Sequence, residues 1–269
     1  TEFMTNLQSS DSTVYAANII YVVTTFNAQN GGQPAGGRIG ASNTQLFLTA
    51  LTLDKTGKAN AANLQGMTQW MSDLRARMNE VLPSAGSGAE ALDSSRLFFT
   101  MLRLTDEAKQ NIADSPQFNS DFSTLSTRVS ANGADINFVD RFFMTASLTD
   151  TARTNLANAA VFDADFGSVT ARASDVHITI TNRQAFDIAL GMTASSRTNL
   201  SDAARFILDY GNVASGSDPA HIVLTDLEKF SLSVNISDAA RTNLADRNRF
   251  ASDYQNVSQA ASAVGLQLR

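Results

Sequence analysis

A period of 44 residues governs more than half of this chain. Each copy opens on an apolar residue that a hydroxyl residue follows, and the openings stand at Leu104, Leu148, Met192 and Ile236. Seven residues after each opening stands an Asn, followed directly by Ile or Leu. A fixed period between about 20 and 50 residues is typical of stacked supersecondary units that pack only on their neighbours. The sequence therefore predicts one elongated repeat domain rather than two globules.

Capping residues divide each copy into three helices. A first set of hydroxyl residues is predicted to cap the start of a short helix, and a second set of Asp and Asn residues the start of a longer helix. The first set is Thr105, Thr149, Thr193 and Ser237, and the second is Asp114, Asn158, Asp202 and Asp246. A third helix is predicted to begin at Asp93, Asn137, Thr181 and Thr225. Thr181 with Gln184 and Thr225 with Glu228 read as capping boxes. Brief alternating segments at 176–180 and 221–224, too short to form strands alone, precede the last two of these caps.

An apolar stripe marks the second helix of each copy. It starts at Phe118, Phe162, Phe206 and Phe250 and continues four and seven residues later with further apolar or aromatic residues. Such i, i+4, i+7 spacing indicates a helix that buries one face. The third helices carry an aromatic residue at the same period, at Phe98, Phe142, Phe186 and Phe230. Both sets of phenylalanines are predicted to form the core.

The predicted fold is all-α, a solenoid-like array of about six three-helix repeats in a single domain over residues 4–269. The regular repeats are 104–147, 148–191, 192–235 and 236–269, the last of them truncated, and the divergent units are 4–52 and 53–103. In the divergent part, Leu46 to Leu51 echo Leu97 to Leu102, and Asn63, Trp70 and Leu74 echo the Asn, Phe and Phe/Tyr positions. Residues 1–3 precede Met4 and read as a remnant of cloning. Loops at 30–40 and 83–88 are predicted to be flexible.

Composition excludes some partners and some chemistry. The net charge of −6 and the pI of about 4.9 provide no basic field for phosphate backbones, so no nucleic-acid partner is expected. The chain has no cysteine, which excludes disulfides and thiol chemistry. The apolar stretch at 16–23 is too short to span a membrane, and no basic segment precedes it as in a classical signal peptide.

The repeated polar residues are interpreted as architecture. The Asn ladder at Asn111, Asn155, Asn199 and Asn243 adjoins core Ile and Leu residues, where an amide can bind a neighbouring carbonyl. Its alternative role is recognition of a peptide backbone. Arg153, Arg197 and Arg241, with Lys109 in the first regular repeat, can pair with Asp121, Asp165, Asp209 and Asp253. If these pairs are exposed, each is worth about 0 to 1 kcal/mol.

Metal sites are not expected. His177 and His221 stand one period apart and can share an ion or act as a pH-sensitive pair. However, no carboxylate recurs beside them, and the equivalent positions are Gly133 and Gly265. The segment 129–140 resembles a calcium loop in layout but retains only Asp140 of the carboxylates that such a loop requires. The sequence leaves open whether these histidines or the loop carboxylates bind an ion.

The function expected from these patterns is non-enzymatic. No phosphate loop, nucleophile elbow or zinc spacing occurs, so no catalytic residue, cofactor or metal ligand is assigned. The leading hypothesis is a secreted or cell-surface bacterial component that acts by self-association or by binding another macromolecule, with a cell-surface partner among the candidates. One alternative is a translocated or cytosolic protein-binding module, whose polar start at 5–13 is compatible with an unfolded export signal. Another is a hydrolase with carboxylates at a repeat interface.

Overall fold

The computed structural model describes residues 12–29, 43–85, 94–217 and 223–263. Helices make up most of these residues, and the described part of the chain contains no β-strand. The all-α prediction is confirmed. Several features predicted from the sequence lie outside the described residues: residues 1–3, the loop at 30–40, the end of the 83–88 loop, Asp93, His221 and Gly265.

The described helices recur in the order short, long and third, as the repeat predicts. We number them α1 (Ser12–Gln29), α2 (Asn43–Thr52), α3 (Lys55–Ala62), α4 (Leu64–Val81), α5 (Ser94–Met101), α6 (Asp106–Ala113), α7 (Ser115–Ala131), α8 (Phe138–Ala146), α9 (Asp150–Ala157), α10 (Ala159–Asp175), α11 (Asn182–Leu190), α12 (Ala194–Ser201), α13 (Ala203–Ser217), α14 (Asp226–Val234), α15 (Asp238–Ala245) and α16 (Arg247–Ala263). A 3-10 turn, Leu82–Ala85, follows α4. From α5 onward, equivalent helices begin 44 residues apart, whereas α2, α3 and α4 begin 51 residues before α5, α6 and α7.

Side-chain caps set these boundaries. Thr105, Thr193 and Ser237 accept hydrogen bonds from the third amide of their short helices. Asp114, Asn158, Asp202 and Asp246 do the same for the long helices. The two predicted capping boxes, at Thr181 and Thr225, are both formed. Each cap satisfies an amide that has no partner inside its helix, so the helices start where the sequence places an oxygen acceptor.

The helices group into two compact units. One lies within Thr1–Ser126 and Ile136–Thr149, and the other within Thr127–Asp135 and Asp150–Arg269. In the second unit, α10 packs against α11 of its own repeat and against α12 of the next, and α13 packs in the same way against α14 and α15. In the first unit, α4 packs against α5 and α6. Each unit therefore repeats the same local arrangement, in which a long helix is covered by a third helix and by the next short helix.

Stacked phenylalanines form the core of the regular repeats. Phe118, Phe162 and Phe206 are fully buried, as predicted. Each contacts the phenylalanine of the third helix in its own repeat, with ring centroids 5.4 Å apart for Phe118 and Phe142, 4.9 Å for Phe162 and Phe186, and 5.3 Å for Phe206 and Phe230. The prediction is wrong for Phe250, which is only half-buried, because no third-helix phenylalanine faces it within the described residues.

The register predicted for the divergent unit 53–103 is wrong by three residues. Asn63, taken from the sequence as the ladder position, instead caps α4 by accepting from the Gly66 amide at 2.8 Å. It therefore has the role of Asp114. The fully buried Met67, Met71 and Leu74 of α4 fill the stripe positions. Trp70 is only half-buried and is not part of that stripe. The ladder position falls on Asn60, which is buried.

The turn that ends α10 holds a side chain in an unfavourable backbone conformation. The Ile178 amide donates to the Ala173 carbonyl and the His177 amide to the Ser174 carbonyl, both at 3.0 Å. This Schellman pattern requires a left-handed residue, and His177 has a φ of +57°. The equivalent turn after α7 uses Gly133, with a φ of +59°. Glycine adopts this conformation without the clash that a Cβ atom causes.

We expect His177→Gly to raise the free energy of unfolding by about 1 kcal/mol, because it removes this clash. Gly133→Ala should lower it by a similar amount at the equivalent turn. Urea denaturation of the three proteins measures both changes. A stability loss in His177→Gly would show that the imidazole makes a stabilising interaction that outweighs the backbone strain.

Candidate interaction surface

Asn155 ties the end of one repeat to the start of the next. It is buried on α9, and its side-chain amide donates to the carbonyls of Leu190 at 3.0 Å and Met192 at 2.9 Å. These carbonyls belong to the last residue of α11 and to the linker after it, where no helical amide is available to bind them. The predicted bond from this amide to neighbouring carbonyls is confirmed. Asn199 repeats it one period later, at 2.8 Å and 3.0 Å.

An arginine from the following repeat completes this arrangement. Arg197 donates from Nη2 to the side-chain oxygen of Asn155 at 2.7 Å. Its Nε and Nη2 also bind both carboxylate oxygens of Asp165 at distances from 2.7 to 3.0 Å. We call this set a rung: an Asn on a short helix, an Asp on the long helix and an Arg on the next short helix. A rung therefore joins three helices of two successive repeats.

The next rung is built in the same way. Arg241 donates to the side-chain oxygen of Asn199, and its Nε lies 2.7 Å from the Asp209 carboxylate. Asp209 is only 2% exposed and Asp165 only 6%. Both Asp residues lie on the buried side of the long helix, so these pairs are not of the exposed kind for which a small contribution is expected.

The first unit contains a variant of the rung. The Asn60 amide donates to the carbonyls of Leu102 at 3.1 Å and Leu104 at 2.9 Å, as in the ladder. The Asp position, however, is occupied by Trp70, and the cation of the next short helix is Lys109. The Lys109 ammonium lies 4.4 Å from the centre of the Trp70 ring, which is a cation–π contact. The cation therefore changes from arginine to lysine where Trp70 replaces the Asp of the rung.

The last described repeat contains only half of a rung. Asn243 on α15 and Asp253 on α16 occupy the Asn and Asp positions, and both are exposed. No hydrogen bond from the Asn243 side chain is found within the described ranges. Asp253 has one distant contact, 3.8 Å to Arg249 on its own helix. Val257, whose counterparts in earlier repeats are buried, is 58% exposed. Polar and apolar side chains that are buried between repeats elsewhere are thus exposed on α15 and α16. We call the surface that carries Asn243, Asp253 and Val257 the α15–α16 face.

An apolar groove of about 420 Å³ opens on this face, within the second unit. Its walls come from α13, α14, α15 and the start of α16, and include Val213, Leu224, Leu232, Asn243, Leu244 and Phe250. Leu244 and Phe250 are half-buried, whereas their counterparts Leu200 and Phe206 are buried. The groove therefore exposes side chains that earlier repeats cover with a third helix and a short helix.

Two other polar sites lie in the first unit. A cleft of about 500 Å³ between α3 and α6 is lined by mixed charges that include Lys55, Asp106 and Glu107. On α4, Glu80 binds Ser115 at 2.7 Å and Asn119 at 3.1 Å. Desolvation opposes ionisation of Glu80, but the bonds from Ser115, Asn119 and Arg77 outweigh it and lower its pKa. These bonds pin α4 to α7.

The candidate ion ligands lie on the surface or have other hydrogen-bond partners. His177 is exposed. The carbonyls of Asn132 and Gly133 accept from the Asn182 amide, and Asp140 belongs to the cap of α8 with Asn137. Within the described ranges, no three His, Cys, Asp or Glu side chains lie close enough together to hold a metal ion.

Sequence reasoning missed two features of the rungs. It paired Arg with Asp but not Arg with Asn, because the Arg and the Asn of one rung are 42 residues apart, on the short helices of two successive repeats. It also assigned Asn63 instead of Asn60 to the ladder. The offset of 51 residues between Leu46 and Leu97, carried through the unit, would have placed Asn60 opposite Asn111.

No helix in the described part of the chain has both the length and the apolar character that a membrane crossing requires. Comparison with family models, curated proteins and solved structures finds no match to this chain.

Proposed function

We propose that this protein is a non-enzymatic interaction protein that binds another polypeptide through the α15–α16 face. The observation that supports this is the half-rung of Asn243 and Asp253 beside an apolar groove. Exposed apolar surface rimmed by polar groups is typical of protein–protein contact sites. Rungs and stacked phenylalanines would hold the preceding repeats of the second unit as a rigid scaffold, which lowers the entropic cost of binding.

The setting we propose for this binding is the cell surface or the extracellular medium of a bacterium. It is supported by composition, since the chain lacks cysteine and contains few lysines. Fractionation of cells that produce the protein distinguishes this setting from the alternative, a cytosolic protein-binding module.

Photocrosslinking at Val257 tests the binding function. We expect benzoylphenylalanine at this position, which is 58% exposed on α16, to crosslink the chain to another polypeptide in the cells that produce it. The matched control is Leu208 on α13, which is 62% exposed but is not part of the α15–α16 face. Adding Phe250→Asp should abolish the Val257 crosslink, because a charge in the groove opposes apolar contact. If Val257 gives no more crosslink than Leu208, the α15–α16 face is not a binding surface.

A further inference from the structure

We infer that the partner bound at the α15–α16 face is a pair of helices, the first ending in free carbonyls and the second carrying a guanidinium. This inference rests on the proposed function and specifies the partner of the same surface. Its basis is that the second unit already contains two complete copies of this interface between its own helices.

The first internal copy supplies the geometry. Helices α11 and α12 bring Phe186 and Arg197 to α10, and they bring the carbonyls of Leu190 and Met192 to Asn155 on α9. Helices α14 and α15 cover α13 with the equivalent groups. Helices α15 and α16 present the other half of this interface, with Phe250, Asn243 and Asp253 standing where Phe162, Asn155 and Asp165 stand.

The charge at this face selects a cation. In the Asp209 rung, Arg241 holds a carboxylate whose side chain is 3% exposed, whereas the equivalent side chain of Asp253 is 63% exposed. The only described cation beside Asp253 is Arg249, at 3.8 Å. At this exposed position on α16 the carboxylate thus has only a distant cation from its own helix, where the earlier repeats receive a close donor from the next short helix.

The shape of the acceptor selects a guanidinium over an ammonium. Arg197 reaches both oxygens of Asp165 and the oxygen of Asn155 at once. A planar fork of N–H donors can do this, whereas a lysine ammonium acts as a point charge. The chain itself follows this rule, since the cation is Lys109 where Trp70 replaces the carboxylate. Asn243 and Asp253 together match the guanidinium form.

A direct test uses the full chain and a fluorescent synthetic peptide with the sequence of residues 178–201, which contains α11 and α12. We expect the peptide to bind in fluorescence anisotropy titrations. Asp253→Asn or Asn243→Ala in the protein should weaken binding at least about tenfold, as expected when a charge-assisted hydrogen bond is lost. Asp135→Asn is the control, because it makes the same charge change at an exposed aspartate that is not part of the α15–α16 face. In the peptide, Arg197→Lys should weaken binding to the wild-type protein but not to Asp253→Asn.

A second measurement removes the entropic cost of ordering a free peptide, which lowers its affinity and can conceal binding. Residues 182–201 are appended directly after Arg269, which stands two periods after Thr181, so that the added helices continue the register. We expect the unfolding midpoint to rise by about 5 °C and Asp253→Asn to remove most of this gain.

The inference is overturned if the peptide does not bind and the appended helices do not stabilise the chain. It is also overturned if light scattering shows that two copies associate through this face and Asp253→Asn separates them, since the occupant is then a second copy. A Val257 crosslink accompanied by either result would retain the proposed binding function and reject only the helix-pair partner. Absence of the crosslink rejects the proposed function itself.

Discussion

Phe162→Ala should lower the free energy of unfolding by about 3 to 5 kcal/mol. Phe162 is fully buried, and its ring lies 4.9 Å from that of Phe186. Truncation removes the apolar transfer energy of the ring and leaves a cavity between α10 and α11 that the surrounding helices fill only in part. Equilibrium denaturation in urea, followed by circular dichroism, measures the change.

Phe250→Ala is the matched control for this prediction. It makes the same substitution at the equivalent position of the last repeat, where the ring is half-buried and lines the open groove. We expect a loss of about 1 kcal/mol or less, because no enclosed cavity forms. Equal losses in the two variants would show that the phenylalanine stack does not hold α11 against α10.

Asn155→Ala should cost about 2 to 3 kcal/mol. The substitution leaves the carbonyls of Leu190 and Met192 without the amide that binds them, and it removes one acceptor of Arg197. Buried polar groups that lose their partners typically cost about 1 to 3 kcal/mol, and more when one of them is charged. Thermal and urea denaturation both report this loss.

Asn243→Ala separates a rung effect from a general effect of losing an asparagine. Asn243 occupies the same position on α15 but is exposed, so its truncation should change the unfolding free energy by about 0.5 kcal/mol or less. If Asn155→Ala is as mild as Asn243→Ala, the ladder does not stabilise the repeats, and recognition by the ladder becomes the better interpretation.

Much of the secondary structure was predictable because local chemistry determines it. A hydroxyl or carboxylate at a helix start can be read from the sequence, and caps such as Thr193, Asn158 and Thr181 lie where expected. The phenylalanine stripe was also predictable, since its period of 44 residues is strict. These signals depend only on neighbours along the chain.

The Arg–Asp pairs were predicted from the sequence, but the complete rungs were not, because each rung joins residues from three helices. Asn155, Asp165 and Arg197 stand at three different phases of the repeat, and nothing in their spacing shows that one guanidinium binds the other two. Burial of Asp165 is equally hidden, since an Asp on a helix is ordinarily exposed. The position of Asn60 was missed because α4 carries methionines where the later long helices carry phenylalanines, so the aromatic residues that mark the register are absent there.

The rungs couple each repeat of the second unit to the next, so the exposed edge of that unit determines where its unfolding would begin. Asn155 and Asp165 receive their guanidinium from the repeat that follows them, so unfolding of α12 takes away a bond from α9 and α10. Loss of order that begins at the exposed α15–α16 face would therefore spread toward earlier residues, as in a chain of coupled neighbours in which one edge is less stable. Amide hydrogen exchange should be fastest on α15 and α16 and should slow progressively toward α10, and the same gradient would limit where tension or a protease first opens the fold.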